Sequence, residues 1–139
     1  MERHFVDQHL ANVPLFADLD RKELEEISSL ATETQVKAGK VLTQQGAHGN
    51  EFIVILEGEA EVVRDGDLLA TIGPGTYFGE IALLSERPRG ATVTAKTDMS
   101  IAVINRREFS TMLADAPEVS TKLLATMADR LAVYEREHH

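Results

Sequence analysis

One short segment of the chain combines residue types that are suited to binding an anion. Gly79 opens a run of helix formers too short for an ordinary helix, and Arg89 follows directly after a proline. Glycine permits a tight turn close to a ligand, and the first amides of a helical turn have no intrahelical partners. An arginine can add a forked pair of charge-assisted hydrogen bonds to the same anion. The segment therefore predicts an anion-binding site.

A carboxylate lies in the middle of this segment. Glu80 directly follows Gly79, where it would repel an anion if phosphate were all that bound. We therefore expect Glu80 to accept a hydrogen bond from a hydroxyl of the same ligand. Taken singly, Arg89 would be a solvated surface charge and Glu80 a first-turn acid favoured by the helix dipole. The residues taken together favour a binding site.

Residues 78–95 closely resemble the phosphate-binding cassette of the cyclic nucleotide-binding domain family. The family pattern is Phe-Gly-Glu, an apolar pair including Ala-Leu, a short spacer and Pro-Arg-x-Ala-Thr-Val-x-Ala, and nearly every position matches. In the family the glutamate takes the ribose 2′-hydroxyl and the arginine takes the cyclic phosphate. The resemblance implies these roles for Glu80 and Arg89. The cassette amides that would complete the phosphate site are those around Ile81, Ala82, Gly90 and Ala91.

The position after the arginine bears on which nucleotide would bind. In the family a threonine there commonly favours cyclic GMP, whereas alanine or serine is usual in cyclic AMP sites. Gly90 offers no hydroxyl, so the resemblance favours cAMP, with cGMP as the other possible ligand. Thr92 matches the family pattern and is expected near the phosphate or the strand edge, although an ordinary strand threonine explains it equally well. The candidates to pack on the base, or else in the core, are Leu56, Val62 and Val63.

Composition argues against several other classes of protein. The 139 residues carry a net charge of −9, whereas a nucleic-acid surface needs clustered Lys and Arg. Cysteine is absent, which removes disulfides and thiolate metal sites. The sequence has no signal-peptide pattern and no apolar run long enough to span a membrane. We therefore expect a cytoplasmic protein with neither a nucleic-acid nor a membrane partner.

The chemistry of the remaining side chains favours binding over catalysis. The sequence has no serine in a nucleophile elbow, and His48 lies alone between Gly46 and Gly49, which are interpreted as turn residues. A metal-dependent cupin enzyme, which uses a similar roll, would need a His-x-His pair. We therefore predict no catalytic residue, no metal and no cofactor, with the nucleotide as ligand.

The surrounding pattern predicts an α+β protein. Asp20 and Glu23 form a capping-box pattern before a helix, and a short helix is expected over residues Glu2 to Asn12. Short apolar segments separated by glycines then indicate a small antiparallel barrel or roll, with a hairpin turn at Arg64-Asp65-Gly66-Asp67. Asn105 and Glu108 resemble a second cap pair. The resemblance makes the fold an antiparallel β-roll of the jelly-roll type, flanked by N-terminal helices and a C-terminal lid helix.

These elements divide a single predicted domain, residues 1–139, into three parts. Helices are expected over about residues 2–31, the β-roll with the cassette over about 34–104, and C-terminal helices over about 105–136. We see no linker between them.

The last predicted helix begins at Pro117 and carries an apolar stripe that ends at Tyr134. In related bacterial regulators a small hydroxyl residue at the position of Tyr134 often reaches the adenine. The resemblance thus implies a lid in which Tyr134 stacks on the base or bonds to it, while packing on the roll or a homodimer seam are alternatives. The output domain or partner protein is not identifiable. A degenerate family member that serves only protein–protein contact is the alternative function.

Overall fold

The computed structural model describes residues 9–85 and 87–137. Most of the helix predicted from Glu2 lies outside them, although residues 9–11 are helical. A 3-10 turn, Pro14–Phe16, precedes helix α1, Arg21–Leu30. The predicted capping box is confirmed, since Asp20 Oδ1 accepts from the Glu23 amide at 2.8 Å and Glu23 Oε1 accepts from the Asp20 amide at 3.1 Å.

In the described part of the chain, eight strands form two four-stranded antiparallel sheets, which confirms the predicted antiparallel β-roll. Their order is β1-β8-β3-β6 in the first sheet and β2-β7-β4-β5 in the second. The strand bounds are β1 Thr32–Val36, β2 Val41–Thr43, β3 Glu51–Glu57, β4 Ala60–Arg64, β5 Asp67–Ile72, β6 Tyr77–Phe78, β7 Thr92–Ala95 and β8 Met99–Asn105. The helices described after α1 are α2 Glu80–Ser85, α3 Arg106–Asp115 and α4 Pro117–Glu137.

Strand β3 is buried on both faces, which explains its unbroken apolar run. Ile53 and Ile55 face the interior of the roll, where they pack with residues such as Val93. Phe52 and Leu56 face the other way, into a core shared with the helices. Of the two interpretations of Leu56, the core one is therefore correct.

The C-terminal helices share the helical core with the cassette. Phe109 of α3, Val119 and Leu123 of α4, and Leu83 of α2 are buried in one cluster. Asn105 occupies the N-cap position of α3 but makes no side-chain capping bond, so this predicted cap is wrong. The first amide of α3, that of Arg106, donates to the distant Asn50 carbonyl at 2.7 Å. Within the described part of the chain, no helix is long and apolar enough to cross a membrane.

Candidate functional site

Arg89 is a buried cation whose side chain and backbone are both fixed by other segments. Only 7% of the residue is exposed. Its guanidinium donates through Nη2 to the Glu51 carbonyl at 2.8 Å and through Nη1 to the Gly79 carbonyl at 3.2 Å. The Arg89 amide donates to the Ala47 carbonyl, and its carbonyl accepts from the Gly46 amide, both at 2.8 Å. The loop between β2 and β3 thus fixes the backbone of Arg89, and the carbonyls of Glu51 in β3 and of Gly79 orient its guanidinium.

Two glycines make room for this guanidinium. Gly79 has φ +102°, and a Cβ there would lie 2.5 Å from the Glu51 carbonyl oxygen and 2.7 Å from Arg89 Nη1. Both the conformation and the space therefore require glycine. A Cβ on Gly49 would overlap the Arg89 guanidinium itself. The sequence marked Gly49 as a turn residue, and its contact with Arg89 was missed because nothing local to Gly49 reveals its distant partner.

Glu80 is the first residue of α2 and only 3% of it is exposed. Burial lowers the pKa of the Arg89 guanidinium, and the carboxylates of Glu51 and Glu80 partly oppose that shift, while Arg106 adds to it. Because burial has removed the hydration of the Arg89 cation, a bound anion beside it would be favoured. The site thus combines a buried cation, Arg89, with a nearby buried carboxylate, Glu80, where solvent screens their charges only weakly.

A cavity of about 470 Å³ joins most of the residues predicted from the cassette. Six of them line it: Gly79, Glu80, Ala82, Arg89, Gly90 and Ala91. Thr92 is not among the lining residues, and its Oγ1 accepts from the Gln45 amide at 3.0 Å, as an ordinary strand threonine would. Only the backbones of Ile81 and Tyr134 are described, in α2 and α4. The role predicted for Ile81 is that of its amide and stays a prediction, whereas the side-chain contact predicted for Tyr134 lies outside the described part of the chain.

The rest of the cavity wall is mostly apolar, and it also contains two threonines and two additional arginines. Val62 lines it and Val63 does not, so of the three candidates for packing on the base only Val62 reaches this space. Arg64 and Arg87 also line it, although both are exposed. Arg64 was missed, and strand periodicity was the available signal, because residues two apart on β4 share a face and Arg64 follows Val62 at that spacing.

Among residues 9–85 and 87–137, no group of three or more His, Asp or Glu side chains is arranged to hold a metal ion. The chemistry that the described site offers is charge pairing and hydrogen bonding around one buried arginine and one buried carboxylate.

A family model described as the cyclic nucleotide-binding domain matches residues 33–116, which is more than half of the chain. The matched range contains every described residue of the candidate site up to Ala91 and all of β1 but its first residue. The chain therefore belongs to the cyclic nucleotide-binding domain family, as the resemblance of the cassette predicted.

Individual relatives agree with this assignment. The cAMP-dependent protein kinase regulatory subunit of Schizosaccharomyces pombe is 36% identical over 116 residues, which are 83% of this chain and 28% of that protein. The structure of the Thermus thermophilus catabolite activator protein is 29% identical with a TM-score of 0.83, covering 89% of this chain and 61% of that one. The regulatory subunit of a cAMP-independent protein kinase A from Trypanosoma brucei is 26% identical with a TM-score of 0.84, covering 99% and 50%. The chain spans about a third of the length of the curated relatives that it matches.

Proposed function

We propose that residues 1–139 form one regulatory domain that binds a cyclic purine nucleotide, with cAMP favoured over cGMP, and that senses this ligand without catalysis. The observation that carries the proposal is the placement of buried Arg89 and buried Glu80 on one cavity. The two groups differ in charge and match the two polar parts of such a ligand, a phosphate and a ribose hydroxyl.

Arg89 is assigned to the cyclic phosphate. The guanidinium carries five N–H donors in a planar fork, more than the carbonyls of Glu51 and Gly79 use. Because those two bonds already orient the guanidinium, little side-chain entropy is lost when the ligand binds to its remaining donors. Within this proposal, cassette amides from Gly79 to Ala82 and at Gly90 and Ala91 supply the remaining donors to the phosphate.

Glu80 is assigned to the ribose 2′-hydroxyl, and the apolar wall around Val62 to the base. A hydroxyl that donates to a buried carboxylate makes a charge-assisted bond, which is stronger than a neutral one. Gly90 lines the cavity without a side-chain hydroxyl, so the cavity offers no threonine at this position for a guanine amino group. This is the feature that favours cAMP over cGMP.

Coupling to the C-terminal helix is the second part of the proposal. Leu83 of the cassette helix is buried in the same cluster as Val119 and Leu123 of α4, so a shift of α2 on ligand binding would disturb the packing of α4. A ligand moves such a helix only through contacts that differ between two states. Tyr134 is proposed to make one of these contacts with the base, and α4 alternatively pairs with a second copy of itself. The proposal also includes a cytoplasmic location and an output domain or partner protein, which the sequence does not identify.

Calorimetric titration of the purified chain with cAMP and cGMP tests the ligand. We expect saturable binding of both, with tighter binding of cAMP. Family membership alone does not establish the ligand, since one structural neighbour is described as part of a cAMP-independent kinase. No heat with either nucleotide would therefore favour the alternative of a protein-interaction module.

Hydrogen exchange tests the lid. Amides of residues 117–137 should exchange more slowly at saturating cAMP, and Tyr134→Ala should weaken binding without abolishing it. Exchange that is unchanged at saturation would make α4 a fixed structural element.

A further inference from the structure

The tip of the β4–β5 hairpin is bonded to the β2–β3 loop by a reciprocal pair of hydrogen bonds. Gln45 Nε2 donates to Asp65 Oδ1 at 2.8 Å, and the Asp65 amide donates to Gln45 Oε1 at 2.9 Å. We call this pair the Gln45–Asp65 clasp. A glutamine amide satisfied on both its donor and its acceptor by one residue fixes the distance and the orientation between two loops.

The hairpin tip is a rigid partner in this clasp. Arg64 and Asp67 pair across a two-residue turn, in which Asp65 has φ +53° and Gly66 has φ +84°. Positive φ at both central residues is what a type I′ turn requires, and Asp is one of the few residues other than glycine that tolerate it. The turn therefore presents the Asp65 amide and carboxylate to Gln45 in one orientation.

The other end of the clasp leads directly to Arg89. The two residues after Gln45, Gly46 and Ala47, exchange backbone hydrogen bonds of 2.8 Å with Arg89, and further along the same loop Gly49 packs against its guanidinium. The hairpin also contacts the following residue, because Arg64 Nε donates to the Gly90 carbonyl at 3.2 Å. The hairpin is thus hydrogen-bonded both to the β2–β3 loop that holds the Arg89 backbone and to Gly90, the residue after the arginine.

We propose that the Gln45–Asp65 clasp positions Arg89 for the phosphate, with Gln45 as a positioning residue that does not touch the ligand. The inference rests on the proposed function. A shift of the loop would carry Gly49 and the Ala47 carbonyl with it, and the fork of Arg89 would lose its alignment. Because Gln45 is only half-buried and Asp65 is exposed, the clasp contributes little to overall stability, and its effect falls on ligand affinity.

The test is a set of matched variants whose cAMP affinity and nucleotide-free melting temperature are measured. Gln45→Ala removes the clasp without changing charge and should weaken cAMP binding about three- to ten-fold. Gln45→Glu sets two carboxylates against each other and should weaken binding at least as much. In Gln45→Glu/Asp65→Asn the new side-chain amide donates to the new carboxylate, the backbone amide at position 65 still donates, and the net charge is unchanged. This pair should restore affinity to within about twofold of the wild type.

Two controls separate the clasp from other causes. Gln44→Glu adds the same charge at the neighbouring exposed position and should weaken binding less than Gln45→Glu. In an Arg89→Lys background, which lacks the fork, Gln45→Ala should cause no further loss. Wild-type affinity in Gln45→Ala, or failure of the double variant to recover affinity, would overturn the inference while the proposed function stands. Absence of cAMP binding by the wild type would overturn both.

Discussion

Two arginines bind carbonyl groups around the same loop, and they have different surroundings. Arg89 donates to the carbonyls of Glu51 and Gly79 and lines the large cavity. Arg106 donates to the carbonyls of Leu83 and Gly49 at 3.2 and 3.4 Å and to Asn50 Oδ1 at 3.3 Å, but it does not line that cavity.

The difference teaches that hydrogen bonding alone does not identify a ligand-binding arginine. Arg106 links the first turn of α3 to the Leu83 carbonyl in α2, and it does not border the cavity. Arg89 is bonded on one side by the protein and meets the cavity on the other. We therefore expect substitutions of Arg89 to act mainly on ligand affinity and substitutions of Arg106 to act mainly on stability.

The largest expected effect is that of Arg89→Leu on cAMP affinity. Loss of one partner of a shielded charge pair costs about 2–5 kcal/mol, roughly thirty-fold to several thousand-fold in the dissociation constant. Arg89→Lys keeps the charge without the fork and should fall between this variant and the wild type. Calorimetric titration measures both.

The effect of Arg89→Leu on the nucleotide-free protein should be smaller. The leucine leaves the Glu51 and Gly79 carbonyls without their arginine donor, which destabilises, but it also removes a cation from a buried position, which stabilises. If Arg89→Leu is unfolded without nucleotide, Arg89 is a structural residue, and the expected difference between Arg89 acting on affinity and Arg106 acting on stability is contradicted.

The next effect is that of Glu80→Gln on discrimination between cAMP and its 2′-deoxy analogue. A hydrogen bond to a charged group contributes about 1.5–3 kcal/mol, so the wild type should prefer cAMP by roughly ten- to a hundred-fold. A glutamine keeps the shape of the side chain without the charge and should narrow that gap. Competition titration with the two nucleotides measures it, and equal wild-type affinity for both would remove Glu80 from the ribose.

Gly49→Ala should displace the guanidinium without removing it. The new Cβ would overlap Arg89, so we expect a loss of cAMP affinity of about tenfold, smaller than that of Arg89→Leu because the charge remains. Gly73→Ala is the matched control, since a Cβ there has no neighbour closer than 3.8 Å and its backbone does not have positive φ. Gly49→Ala and Gly73→Ala with the same affinity would contradict the contact between Gly49 and Arg89.

These predictions also show how far the sequence alone could lead. The grouping of Gly79, Glu80 and Arg89 at one cavity was predictable, because the three residues fall within one short segment that matches a family pattern. The contact between Gly49 and Arg89 was not predictable, because the two residues lie on different loops and the Arg89 guanidinium occupies the space where a Cβ of residue 49 would lie. Leu56 was ambiguous for a related reason. An unbroken apolar strand does not reveal which of its two faces a given residue occupies until the packing on both faces is known.

The side-chain capping bond that was predicted for Asn105 and is missing has a related origin. A capping side chain is needed only where the first helical amides lack other acceptors. One of the first amides of α3, that of Arg106, donates to the Asn50 carbonyl, which the β2–β3 loop brings to the start of α3. The local pattern Asn105 to Glu108 contains no trace of that loop, so the tertiary acceptor could not be anticipated.

Arg106→Gln should have the smallest effect on binding and a clear effect on stability. The arginine's partly buried hydrogen bonds to Leu83, Gly49 and Asn50 contribute about 1–2 kcal/mol to the free energy of unfolding, which chemical denaturation of the nucleotide-free protein should report as lost. Affinity for cAMP should fall by no more than about threefold, because the variant removes a positive charge near the site without touching the cavity. Arg107→Gln, which removes the same charge at the next, exposed position, is the control for that long-range contribution. If Arg106→Gln weakens cAMP binding as much as Arg89→Leu does, the hydrogen bond between Arg106 of α3 and Leu83 of α2 is needed for ligand binding. The two arginines would then not divide into one that acts on affinity and one that acts on stability.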